Sequence, residues 1–141
     1  MTRDAAQHGW CSLRLRFDQR ELELLKGAEQ LRGRAMARTP RPDVLRTALN
    51  LAKAGHKVGS AVPGGAISLD EGELKLLLEA LRFASQEVPW VARPDSAQDA
   101  ARRGTVVGAF PELEQKGMWR SFGLSRELDA LAARLVTALS S

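Results

Sequence analysis

The sequence predicts a mainly α-helical protein with short β-strands, built as a duplicated strand–helix–helix unit followed by a C-terminal helix. Three observations lead there. Leu13, Leu15 and Phe17 alternate with Ser12, Arg14 and Arg16, the period of two that a strand with one buried face requires. Asp18-x-x-Glu21 follows directly and opens a run of apolar residues at helical spacing. Shifting the chain by 52 residues brings the same pattern round a second time.

Taken in order, residues 1–11 lack periodicity and read as a flexible arm. After the strand from Ser12 to Phe17, Leu22, Leu25 and Ala28, with Leu24, Leu31 and Ala35 alongside, define a first helix. Gly33 and the Thr39-Pro40-Arg41-Pro42 punctuation end it, because proline disfavours helical geometry in the residue before it and has no N–H for the helix ladder. Val44, Leu45, Ala48, Leu49 and Ala52 form the stripe of a second helix, with Arg46, Thr47, Asn50 and Lys53 on the other side and Gly55 as its close. That completes a unit over residues 12–55, and the Gly-, Ser- and Pro-rich stretch 56–65 is a linker.

Residues 66–104 read as a diverged second copy. At the offset of 52, Asp18 pairs with Asp70, Glu21 with Glu73, Leu22 with Leu74, Leu25 with Leu77 and Ala28 with Ala80. Further on, Arg41-Pro42-Asp43 pairs with Arg93-Pro94-Asp95, and Leu15 falls opposite Ile67 in a short Ala66-to-Leu69 strand. Leu74, Leu76, Leu77, Leu78, Leu81 and Phe83 make the third helix apolar on nearly every side, so it should be the most buried element. Residues 105–141 form an extension without a counterpart. In it Val106-Val107 reads as a stub of strand, Pro111 as the start of a helical turn, and Ser125 as the cap of an amphipathic helix. That helix gathers Leu128, Leu131, Leu135 and Leu139 on one face, a candidate partner-binding surface that must bury against the core, a second copy or another protein.

Composition bounds the function. The chain has 141 residues, 44% hydrophobic and 27% charged, enough apolar side chain for one domain with a core. No apolar run approaches the ~20 residues of a membrane span. Met1-Thr2-Arg3-Asp4 lacks the apolar stretch of a signal peptide, so a cytoplasmic protein without membrane attachment is expected. Cys11, with only His8 and His56, cannot form an internal disulfide or a Cys/His metal cage, and neither a metal nor a cofactor is expected. Gly64-Gly65 lacks a phosphate-loop frame, and Glu21, Glu23, Glu71, Glu73 and Asp70 sit at helix starts where capping accounts for them. Trp90, Trp119 and Phe122 read as core filling. An enzyme is therefore not expected. Residues 1–58 carry twelve Lys and Arg against six Asp and Glu, whereas residues 59–141 carry nine against eleven. The excess is densest from Arg32 to Arg46, an asymmetry suited to a nucleic-acid partner.

Residues 12–54 resemble the ribbon-helix-helix family of DNA-binding proteins. The likeness rests on Leu13-Arg14-Leu15-Arg16-Phe17, on Asp18-x-x-Glu21-Leu22, and on Arg41-Pro42-Asp43-Val44-Leu45-Arg46-Thr47-Ala48-Leu49, which is similar to that family's second-helix opening. It departs from the family in a long stretch between the helices and in prolines where serines are usual. The resemblance implies a two-stranded ribbon in the major groove of double-stranded DNA, read by Ser12, Arg14 and Arg16. Phosphate contacts from Arg38, Arg41 and Arg46 would supply affinity without sequence information. The implied function is a transcriptional or plasmid- or phage-type regulator acting by operator occupancy. The competing expectation is a small helical interaction module, an adaptor or antitoxin-like protein, whose basic face is incidental.

A lone strand leaves its amides and carbonyls unpaired, so Ser12 to Phe17 needs a partner. It can pair with the same strand of a second chain, giving a homodimer with four ribbon arginines, or with Ala66 to Leu69, giving a pseudo-dimer with two. The homodimer is the expectation.

Overall fold

In the computed structural model, which describes residues 12–39, 41–117 and 119–140, the chain begins with β1 (Ser12–Arg16), α1 (Gln19–Ala37) and α2 (Pro42–Gly59). It continues through β2 (Ala66–Asp70), α3 (Glu71–Glu87), two 3-10 turns (Val88–Ala92 and Pro94–Gln98), α4 (Ala100–Ala109), α5 (Glu112–Lys116) and α6 (Arg120–Leu139). The fold is mainly α with one short two-stranded sheet. The expected arm, with His8 and Cys11, lies outside the described residues.

The duplication is visible in local geometry. Asp18 and Asp70 take nearly the same backbone conformation, φ −78 and ψ 176 against φ −79 and ψ 172. Each closes a capping box, with the N–H of Glu21 or Glu73 donating to the Asp side chain at 2.7 Å and that Glu accepting the Asp N–H at 2.9 Å. Antiparallel pairing joins β1 to β2 with Leu15 opposite Ile67, the two residues equated by the offset of 52. A pseudo-two-fold axis therefore passes through that pair, and β1 finds its partner inside the chain. With the pairing need met there, the ground for a homodimer falls away.

The symmetry continues into the second helices. Leu51, Ala54 and Val58 are the buried face of α2; the same shift takes them to Arg103, Val106 and Phe110, the last two buried in turn. Val106-Val107 is thus helix rather than strand, and α4 runs to Ala109, past the expected end of the second copy at residue 104. The counterpart of α2 is broken in two. Pro94 opens a 3-10 turn where Pro42 opens α2, and Asp99 (φ −116, ψ 79) then restarts the helix by accepting the Arg102 N–H at 3.1 Å.

α2 also departs from expectation. It passes Gly55 and ends at Gly59, shortening the linker to residues 60–65. Its buried face is centred on Leu51, Ala54 and Val58, with Val44 and Ala48 half-buried, whereas Leu45, Leu49 and Ala52 are exposed. The apolar residues of α2 span a wide arc, and α1 and α3 cover only part of it.

α3 is the central element, packed against α1, α2 and α6, and buries Leu74, Leu77, Leu78, Ala80, Leu81 and Ala84. α6 lies along it. Leu128, Leu131 and Leu135 are core residues and Leu139 packs half-buried against them, so the surface expected to bind a partner is spent within the chain. Ser125 lies inside α6, which starts at Arg120, and donates to the Ser85 carbonyl at 2.8 Å. Midway along α1, α4 comes very close: a Cβ on Gly27 would stand 2.3 Å from Phe110 Cε1 and 2.9 Å from the Ala109 carbonyl oxygen.

A charge cluster ties α1, α5 and α6 together. Arg20 donates to Glu112 at 2.8 Å and Glu127 at 2.9 Å, and Arg120 bonds the same two carboxylates. The Arg20 hydrogen bonds, to Glu127 and then Glu112, hold its guanidinium above its ordinary range. Burial pushes the Glu112 carboxyl up, yet the bonds and charge of Arg20 and Arg120 outweigh it and hold it below the usual carboxylate range. Hydrogen bonding from Arg20 does the same to Glu127. Among the described residues no helix is long and apolar enough to cross a membrane.

Candidate nucleic-acid interface

The pleat of the ribbon sorts its side chains into two rows. Leu13, Leu15, Ile67 and Leu69 face the helices; Ser12, Arg14 and Arg16 of β1, with Ala66 and Ser68 of β2, stand exposed on the other side. Registered opposite Ser12, Asp70 is drawn off that row, its carboxylate occupied in capping α3. Arg14 makes no hydrogen bond or ion pair with any described residue. Arg16 donates through Nη1 to the Gly64 carbonyl at 2.8 Å, which fixes its direction while leaving other guanidinium donors open.

The pseudo-axis sets the pattern of arginines on this face. Arg14 lies opposite Ser68 and Arg16 opposite Ala66, so each side of the Leu15–Ile67 centre carries one arginine, and both belong to β1. A symmetric ribbon would carry two on each side. A two-stranded ribbon of this kind fits a major groove about 12 Å wide, where an arginine can bond a guanine through two acceptors.

Two cations that the sequence reading missed frame the ribbon. Arg134 of α6 bonds the Arg16 carbonyl and Glu21 and lies over the Phe17 ring, 5.1 Å from its centre. Lys57, at the end of α2, reaches the Ser68 carbonyl at 3.2 Å and Glu73 at 2.8 Å. Both restrain the ribbon backbone, and their partners are too distant in the chain for any local pattern to reveal.

The arginines expected to grip phosphate sit elsewhere. Arg41 is the N-cap of α2, exposed and 3.9 Å from Asp43; Arg46 is exposed one turn on; Arg38 caps α1 and donates to Thr105 at 2.9 Å. Arg41 lies sixteen residues before Lys57, about 24 Å along the helix at 1.5 Å per residue, so these arginines and the ribbon form two separate groups. Arg32 leaves the set altogether. It pairs with Glu79 at 2.8 Å and stacks on Phe83 between α1 and α3, so the stretch from Arg32 to Arg46 is not one solvent-facing surface.

The remaining chemistry is sparse. Among the described residues no three His, Cys, Asp or Glu side chains gather to hold a metal ion. Trp90 is half-buried beneath Arg102, 3.9 Å from its ring centre. Trp119 and Phe122 are exposed, with ring centres 5.8 Å apart, and do not fill the core. Compared with protein-family models, curated proteins and solved structures, the chain matches none.

Proposed function

We propose that this protein binds double-stranded DNA through the outer face of the β1–β2 ribbon and regulates by occupying an operator rather than by catalysis. The observation that supports the reading is an exposed ribbon face on which Arg14 has no partner among the described residues and Arg16 is aimed by one backbone bond. Both strands are supplied by one chain, so one molecule makes one reading head. Because both arginines come from β1, the preferred site is not a palindrome; operator symmetry mirrors protein symmetry, and here the two strands differ.

Selection from a random duplex pool, followed by anisotropy titration of the winner, tests this. Arg14→Ala should weaken binding by the ~1–3 kcal/mol of one bidentate base contact, roughly 5- to 150-fold, with the melting temperature unchanged. Failure to enrich any duplex, or equal affinity of Arg14→Ala and wild type, refutes the proposal.

A further inference from the structure

The outer face of α2 has no role in the ribbon. Leu45, Leu49, Ala52 and His56 fall four, three and four residues apart, a single stripe along the helix. All four are exposed, Leu45 at 48% and Leu49 at 66%, although the opposite side of α2 is firmly seated through Leu51, Ala54 and Val58. A shallow hollow of about 530 Å³, lined by Leu49, Ala52, Lys53, His56, Lys57 and Glu73, lies beside the stripe. Lys53 borders it on the side of α3, Arg46 lies two turns earlier on the same side of the helix, and neither forms a salt bridge among the described residues. Lys57 is taken by Glu73, and the one acid of α2 itself, Asp43, stands 3.9 Å from Arg41 at the first turn.

We propose that this face docks an amphipathic helix of another protein whose apolar ridge is bordered by Asp or Glu. Charge selects the occupant. Two copies packed antiparallel through Leu49 would set Arg46 of one against Lys53 of the other. Like charges meet in that pairing, whereas an acidic border turns both cations into partners. An apolar stripe of helical spacing is the usual receptor for a helix laid across it. This inference does not depend on DNA binding, since it uses neither strand.

The test displays helices with leucines at i, i+4, i+7 and i+11 and flanking positions randomised among Glu, Gln and Lys, selected on the immobilised full chain. Glu should be enriched at the flanks. The winning peptide should bind at least tenfold more weakly to Leu49→Ser and to Leu45→Gln, both surface changes that leave the melt intact. Its affinity for Arg46→Glu should fall severalfold, and exchanging the matching peptide Glu for Lys should restore it. DNA affinity should not change with Leu49→Ser, which separates this outcome from the ribbon reading. No enrichment, enrichment of Lys, or indifference to both leucine variants overturns the inference. So does self-association, or binding to phosphatidylserine–phosphatidylcholine vesicles, that Leu49→Ser abolishes, because a second copy or a lipid surface would then be the occupant.

Discussion

Gly27→Ala and Gly33→Ala place the same methyl group in the same helix, α1, at two positions with opposite surroundings. At Gly33 a Cβ would meet nothing within 4 Å, so alanine should stabilise by the helix-propensity difference, about 0.8–1 kcal/mol. At Gly27 it would stand 2.3 and 2.7 Å from Phe110 ring carbons and 2.9 Å from the Ala109 carbonyl oxygen. The ring could turn aside, but the carbonyl belongs to the last residue of α4 and gives way only if that helix lifts. Overpacking of this kind costs about 1–3 kcal/mol, and because propensity is common to both changes, the difference between the variants reports the packing alone. Over 141 residues at about 2.1 cal/mol/K each, the unfolding entropy is about 300 cal/mol/K, so 1 kcal/mol corresponds to about 3 °C. Thermal melts followed by circular dichroism should therefore place Gly27→Ala about 3–10 °C below Gly33→Ala. Equal melting temperatures would mean that α4 does not approach α1 this closely, and the symmetry argued from the second helices would lose its main support.

Other expectations concern the core, the caps and acid. Leu128→Ala should cost about 2–5 kcal/mol in a denaturant titration, since Leu128 is wholly buried against α3; a cost under 1 kcal/mol would mean that α6 docks loosely. Asp18→Ala and Asp70→Ala should each cost about 1 kcal/mol and by similar amounts, because the two caps share one geometry. The Glu112 and Glu127 carboxyls are held below their unfolded range, so their contribution is present above about pH 4.3 and lost as the pH falls through their lowered values. Melting temperature should drop on acidification below that point, and Glu127→Gln should flatten the drop; an unaltered acid profile in that variant would show that the cluster carries no such linkage.

The parts of the fold legible in the sequence are those fixed by neighbours. Alternation of Leu13, Leu15 and Phe17 needs only the strand itself, and Asp18-x-x-Glu21 and Asp70-x-x-Glu73 satisfy their helix starts within four residues. What depended on distant partners was lost. Val106-Val107 has strand-forming side chains, yet Val106 is wholly buried in a helix packed on α1, and tertiary packing overrode propensity. Leu45 and Leu49 have the spacing of a buried stripe, but spacing does not say which part of a wide apolar arc will be covered. Leu128, Leu131 and Leu135 raised the opposite problem: their face was correctly read as needing burial, and only the fold shows α3 beneath it. Of the candidate interface, the outward row of Ser12, Arg14 and Arg16 is readable from alternation and its base-reading role only from the family resemblance, while Arg134 and Lys57 owe their places to contacts across 118 and 11 residues.

Carrying both strands of the ribbon on one polypeptide changes how the surface comes into being. A reading head shared between two chains exists only as far as its subunits have associated, so dilution dismantles it. Here the strand pairing is a step of folding within one chain, and under the proposed DNA reading site occupancy would rise in simple proportion to protein level when scarce. Two strands encoded in one chain can also differ in sequence, and here one carries Arg14 and Arg16 where the other carries Ala66 and Ser68.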